Sequence, residues 1–307
     1  MIRNFLTIRI YAYIFKITYS AKPLDATMRI ANLANRLVMV VDGRAHDVEK
    51  LSAGTFSSSV PAIYSRWQEF IEWVSQADLG EGTRFDEALL LSPAPEPRQL
   101  FAIGLNYGEH VKEAGLVVDD PVVFTKFVSS ITGPYADVPR PRGNVDWEVE
   151  LVVVIGRWGQ HIPQHRAWEH VAGLTAGQDL SERKTQMAGA APQFSLGKSY
   201  PGFAPMGPVL VTPDEFSDRD DLWLECSVND ELVQSSRTSA MLSSISEIIA
   251  YLSNITPLLP GDVIFTGTPS GVGMSRVPPR FLEVGDRLTT RIEGIGELRN
   301  HLVAVPA

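Results

Sequence analysis

The sequence predicts a mostly β protein of the α+β class: a roll of mixed β-sheet preceded by a small N-terminal α+β unit. Three observations predict it. Beyond Pro97 the chain is dominated by short runs of strand-forming residues, with few stretches at helical spacing. Strands without regular intervening helices argue against a Rossmann or TIM-barrel architecture. Between the two parts lies Pro93-Ala94-Pro95-Glu96-Pro97, which can continue neither a helix nor a central strand.

The elements follow in order. Residues 1–27 contain Arg3, Arg9, Lys16 and Lys22, and only Asp25 is acidic. This segment is expected to be an extension outside the fold, with Met28 opening the globular part. Leu37 to Val41 is a β-branched run ending at Asp42-Gly43, a hairpin-type turn signal. Ile63, Trp67, Phe70, Ile71 and Val74 recur at helical spacing and predict one amphipathic helix over 61–76. The expected units are therefore 28–95 and 99–305. In the second, strands are expected at 100–105, 122–127, 148–155, 173–180, 207–212, 222–228, 232–234, 262–266 and 287–293. Helices are expected at 109–115 and around Leu242, Ile245, Ile249 and Leu252.

Composition narrows the function. With 44% hydrophobic and 21% charged residues, the chain can build a core and is not predominantly disordered. A net charge of −9 disfavours nucleic-acid binding through a basic surface. Cys226, the single cysteine, excludes an intramolecular disulfide or a multi-cysteine zinc site and suits a reducing cytoplasm. No apolar run reaches the about 20 residues of a membrane-spanning helix, so no membrane partner is expected.

The chemistry starts at Trp147-Glu148-Val149-Glu150-Leu151-Val152-Val153-Val154-Ile155. Alternation along a strand points Glu148 and Glu150 to one face. They could face solvent at the edge of an antiparallel strand. They could instead bind a hard divalent cation, because two anions in so apolar a strand need compensation. Asp179, at the end of another predicted strand, supplies a third carboxylate. Mg²⁺ or Mn²⁺ on three carboxylates would keep three octahedral positions for waters or a chelating substrate. His110 and Glu113 are three apart in a helical stretch and can share a face, as a surface pair or as an oriented general base.

Four motifs occur in order: Ile103-Gly104-Leu105-Asn106-Tyr107 with His110; Asp146-Trp147-Glu148-Val149-Glu150-Leu151; Asp179-Leu180-Ser181-Glu182-Arg183 with Gln186; and Thr266-Gly267-Thr268-Pro269-Ser270-Gly271-Val272-Gly273. Together they resemble the fumarylacetoacetate hydrolase family in its shorter bacterial type, over about residues 99–304. The resemblance implies the family's C-terminal β-roll, a homodimer, Mg²⁺ or Mn²⁺, and a small 2-oxo or 2,4-dioxo acid as substrate. It implies metal ligation by Glu148, Glu150 and Asp179, and a cationic substrate partner at Lys198. Arg183, Gln186, Gly267 and Thr268 match substrate contacts, and His110 with Glu113 matches a dyad on a mobile lid.

The chain departs from the family in having Lys184 where an Asp often follows the arginine. The resemblance favours hydrolysis of a C–C bond in an acylpyruvate-like acid. Isomerisation or decarboxylation of a 2-oxo dicarboxylic acid, such as 2-hydroxyhepta-2,4-diene-1,7-dioate or oxaloacetate, is the alternative. A metal-binding β module without catalysis would leave Lys198, Arg183 and His110 without a role.

Overall fold

The structure is a computed structural model that describes residues 28–114 and 120–305. The predicted extension 1–27, and the end of the helix expected at 109–115, lie outside the described residues. A large mixed sheet has the strand order β3-β2-β1-β9-β8-β7-β12-β4-β5. Along that path its strands are β1 (Arg29–Leu33), β2 (Arg36–Val41), β3 (Arg44–Asp47), β4 (Leu100–Gly104), β5 (Val122–Thr125), β7 (Val149–Ile155), β8 (Val171–Gln178), β9 (Ala204–Val211) and β12 (Val263–Phe265), and two short strands off it, Leu90–Leu91 and Ile131–Thr132, pair with β1 and β9. A second sheet runs β11-β10-β13-β14-β6. It is built from β6 (Val138–Arg140), β10 (Trp223–Val228), β11 (Glu231–Arg237), β13 (Arg287–Ile292) and β14 (Gly296–Ala304). Both sheets are mixed: β12 pairs with β4 in parallel, as β14 does with β6.

The centre of the large sheet is β7, all of whose residues are buried. Its alternation sorts two cores. Val149, Leu151 and Val153 join Leu224, Val228, Leu288 and Leu298 of the second sheet. Val152 and Val154 face the other way, with Phe56, Trp67, Phe70 and Phe265. The N-terminal hairpin extends the same sheet through Arg29↔Val211 and Ile30↔Leu210.

The helix expected over 61–76 is two helices, α1 (Val60–Tyr64) and α2 (Trp67–Val74). The chain leaves helical geometry at Arg66, with φ −123° and ψ 25°. The break lets the Tyr64 hydroxyl donate to the Pro93 carbonyl at 2.7 Å while Trp67 and Phe70 enter the core. Helix α3 spans Gly108–Ala114. Two one-turn helices follow, α4 (Arg183–Gln186) and α5 (Phe194–Gly197). Helix α6 (Ile245–Ile255) starts after Leu242 because Ser244 and Glu247 form a capping box. Among the described residues, no helix is long and apolar enough to cross a membrane.

Candidate active site

The β7–β8 register builds the acidic cluster. Glu150 pairs with Gly177, and two residues further along the ladder Asp179 N–H donates to the Glu148 carbonyl at 2.9 Å. Glu148, Glu150 and Asp179 are all buried. One ligand oxygen from each lies within 4.8 Å of the others. The two glutamates do share a side of the sheet, but in its interior rather than at a solvated edge. Two side-chain amides hold their backbone: Gln178 Oε1 accepts from Glu148 N–H at 2.9 Å, and Gln234 Oε1 from Val149 N–H at 3.0 Å. Gly267 N–H donates to Glu150 Oε2 at 2.8 Å. Gly267 sits at φ +101°, and a Cβ there would lie 2.7 Å from Asn106 Cβ, so the position needs glycine.

Three cations converge on this cluster. Lys198 is buried rather than a surface lysine, and its Nζ donates to Glu148 Oε2 at 2.8 Å and Asp179 Oδ2 at 2.7 Å. Arg183 opens α4; its Nη1 lies 2.7 Å from Glu148 Oε1 and 2.9 Å from Gln186 Oε1. Asp146 anchors the other edge of that guanidinium, accepting from Nε at 2.9 Å. Asp146 also accepts from Gly273 N–H at 2.6 Å and Met274 N–H at 2.9 Å, which ties the 267–274 loop to the site. The third cation is Lys126, just past β5. Its Nζ donates to Asp179 Oδ1 at 2.6 Å and to the Lys198 carbonyl.

Electrostatics separates the carboxylates. Burial would raise Glu148, but Lys198, Arg183 and His110 outweigh it and hold the carboxyl down at about 2. Glu150 is pushed well above the usual carboxylate range by burial and by the charges of Asp179 and Glu148. Burial works against the Lys198 ammonium, yet Asp179 and Glu148 raise its pKa. For Lys126 burial prevails, and the pKa falls despite Asp179. Counting Asp146, four buried carboxylates face three buried cations, and Glu150 is the carboxylate without a cationic hydrogen-bond partner.

His110 Nδ1 lies 3.2 Å from Glu113 Oε2, so the pair read from the sequence is formed. Glu113 also accepts from Gly271 N–H at 3.3 Å, and Glu109 from the Ser270 hydroxyl at 3.3 Å. Helix α3 is thus fastened to the 267–274 loop on the His110 side of the cluster. Thr268 is buried in that loop, and its Oγ1 accepts from Gln234 Nε2 at 2.8 Å. The residues singled out from the sequence therefore gather in one region. Lys184 does not join them; its side chain is exposed.

Sequence reasoning missed Lys126, Gln178 and Gln234, and gave Asp146 no role although it stood in a quoted motif. Lys126 follows the strand-forming run 122–125 like an ordinary strand lysine, so only its partners reveal it. The glutamines act across strand pairings, which leave no local signature. The Asp146-Trp147-Glu148 run was the one available signal.

A mixed β-roll enclosing a carboxylate triad, with lysine and arginine counter-charges and an imidazole–carboxylate pair, defines a metal-assisted acid–base enzyme class. Residues 99–303 match the fumarylacetoacetate (FAA) hydrolase C-terminal family, and the chain belongs to it. It is 44% identical over 220 residues to the human mitochondrial oxaloacetate tautomerase FAHD2A, covering 71% of this chain and 70% of that one. A Mycobacterium smegmatis crystal structure provisionally assigned the HpcE name is 54% identical, with a TM-score of 0.88, over 91% of this chain and all of that one. Fumarylpyruvate hydrolase from Pseudomonas aeruginosa, solved with Mn²⁺ and pyruvate, is 31% identical with a TM-score of 0.62, over 68% of this chain and 91% of that one.

Proposed function

We propose that the chain is a divalent-metal-dependent enzyme that interconverts the enol and keto forms of a short 2-oxo dicarboxylic acid of the oxaloacetate class. One observation carries the reading. The undercompensated Glu148–Glu150–Asp179 cluster lies beside the buried Lys198 ammonium and an imidazole, His110, oriented by Glu113. The 44% identity to an oxaloacetate tautomerase supports the substrate class.

The donor set fits the cofactor. Three carboxylate oxygens suit a hard ion such as Mg²⁺ or Mn²⁺, and the raised Glu150 carboxyl marks where positive charge is lacking. Glu148, Glu150 and Asp179 would hold that ion, which when bound supplies Lewis-acid polarisation of a substrate oxygen. Tautomerisation moves one proton between C3 and the C2 oxygen and changes no oxidation state. With Nδ1 turned to Glu113, His110 keeps Nε2 to take or return the C3 proton. Lys198 places an ammonium against negative charge developing at the C2 oxygen. Arg183, Gln186 and Thr268 supply polar groups for the C1 carboxylate, whereas the N–H of Gly267 is already donated to Glu150. Exposed Phe127, Val128, Met187 and Leu196 offer apolar area for a second copy, in keeping with the expected homodimer.

The His110–Glu113 pair also favours a second reading, the C–C hydrolysis expected from the sequence. There His110 would take its proton from water, and an acylpyruvate would release pyruvate. Product analysis decides between them. With Mn²⁺, enolic oxaloacetate should be converted to the keto form much faster than an acylpyruvate is cleaved. Efficient pyruvate release from the acylpyruvate, with no effect on enol decay, overturns the tautomerase reading.

A further inference from the structure

Gln234 stands on β11 of the second sheet, yet its buried side chain reaches the backbone between Glu148 and Glu150. Its three polar contacts leave no freedom in the amide's orientation. Val149 N–H can only donate, so the atom 3.0 Å away is the carbonyl Oε1. The Pro269 carbonyl can only accept, so the atom 2.8 Å from it is the amide nitrogen Nε2. The same Nε2 lies 2.8 Å from Thr268 Oγ1. Both of its protons are therefore assigned, one to Pro269 and one to Thr268.

Thr268 Oγ1 must then act as an acceptor from Gln234. A hydroxyl has one proton, and here it is not used on Gln234. Among the hydrogen bonds of the described residues Thr268 Oγ1 donates none, although the residue is 3% exposed. Gly267, the preceding residue, donates its N–H to Glu150. The hydroxyl thus stands one residue from a contact to the acidic cluster.

We infer that Gln234 is a positioning residue that fixes Thr268 as a hydrogen-bond donor, so that the hydroxyl recognises a carboxylate or enolate oxygen of the bound acid. The inference rests on the proposed 2-oxo acid site and deepens it by assigning the polarity of one contact. Val149 and Thr268 are both held by Gln234. The residue therefore links the backbone of the carboxylate cluster to a substrate contact from a different sheet.

The probes are Mn²⁺ alone and then oxalate, a planar dicarboxylate, added to the Mn²⁺-loaded protein. Calorimetry should give an oxalate Kd raised roughly 10-fold or more in Thr268→Val, the loss expected for one hydrogen bond to a charged acceptor. Thr268→Ser keeps the hydroxyl and should bind oxalate like the unmodified protein. Gln234→Glu, whose ionised carboxylate only accepts, should draw the Thr268 proton to itself and weaken oxalate similarly. Gln234→Glu with Thr268→Val should be no weaker than Thr268→Val alone, because the two act through one proton. A protein that binds neither Mn²⁺ nor oxalate overturns the proposed site itself. Normal oxalate binding by Thr268→Val, or a full additional loss from Gln234→Glu in that background, overturns the present inference. Should Gln234→Glu not fold, the Thr268 pair still decides, since equal Kd values for Val and Ser deny the hydroxyl its role.

Discussion

Lys126 Nζ lies 2.6 Å from Asp179 Oδ1, and both side chains are fully shielded from water. A buried ammonium on a carboxylate of the acidic cluster is costly to leave unpartnered on either side. Lys126→Met should destabilise the fold by about 3–5 kcal/mol, the usual consequence of removing one member of a buried pair. Urea unfolding checks this, and adding Asp179→Asn should recover part of the loss. A single variant as stable as the unmodified protein would show the pair to be dispensable.

Glu150 predicts a pH dependence. Its folded-state pKa is raised above the unfolded value of about 4.3. Its favourable contribution is therefore present below that value and is lost as pH rises toward the folded pKa. Metal-free protein should lose thermal stability across this window, and Mn²⁺ should restore it. Glu150→Gln should flatten the metal-free profile and lose most Mn²⁺ affinity. Melting curves taken upward from about pH 4, the reference carboxylate range, test both statements.

His110→Ala should lower turnover by about 10²–10⁴-fold, the range for a positioned acid–base group. His110→Ala with Glu113→Gln should be little worse, because the pair works as a unit. Mn²⁺ affinity, titrated calorimetrically, should stay within the error of the unmodified protein. Near-normal turnover of His110→Ala would reduce the pair to a surface contact and leave proton transfer to another group.

Gly273→Ala tests the loop anchor. A Cβ at Gly273 would meet the Arg280 carbonyl and stand 2.7 Å from Asp146 Oδ1. The expected loss is about 1–3 kcal/mol for overpacking. Because Asp146 also holds Arg183, oxalate binding should weaken as well. Thermal melts and oxalate titration of this variant provide the check.

Local rules read the centre of the molecule well. The β-branched run after Glu150 announced β7, and period-2 alternation placed both glutamates together. Asp179 was legible through its motif, though its approach to Glu148 depends on antiparallel register. β1 was not legible, because Arg29–Leu33 becomes a strand by pairing with β2 and β9 rather than by its own pattern. β14 escaped for a similar reason: Gly296–Ala304 carries charges on its outer face and gains its place from β13 and β6. The split of 61–76 into α1 and α2 was hidden because the apolar spacing continues through Arg66. What breaks the helix is a tertiary demand, the different directions required of Tyr64 and Trp67.

The pairing of Arg29 with Val211 has a consequence for synthesis on the ribosome. The N-terminal hairpin leaves the exit tunnel long before β9 exists. Until then the edge of β1 that β9 will cover presents unpaired backbone groups. With translation running at about 5–20 residues per second, that interval lasts many seconds. The nascent hairpin is therefore a natural client for a holding chaperone, and pulse-labelled chains arrested before residue 204 should be far more protease-sensitive than chains arrested after residue 265.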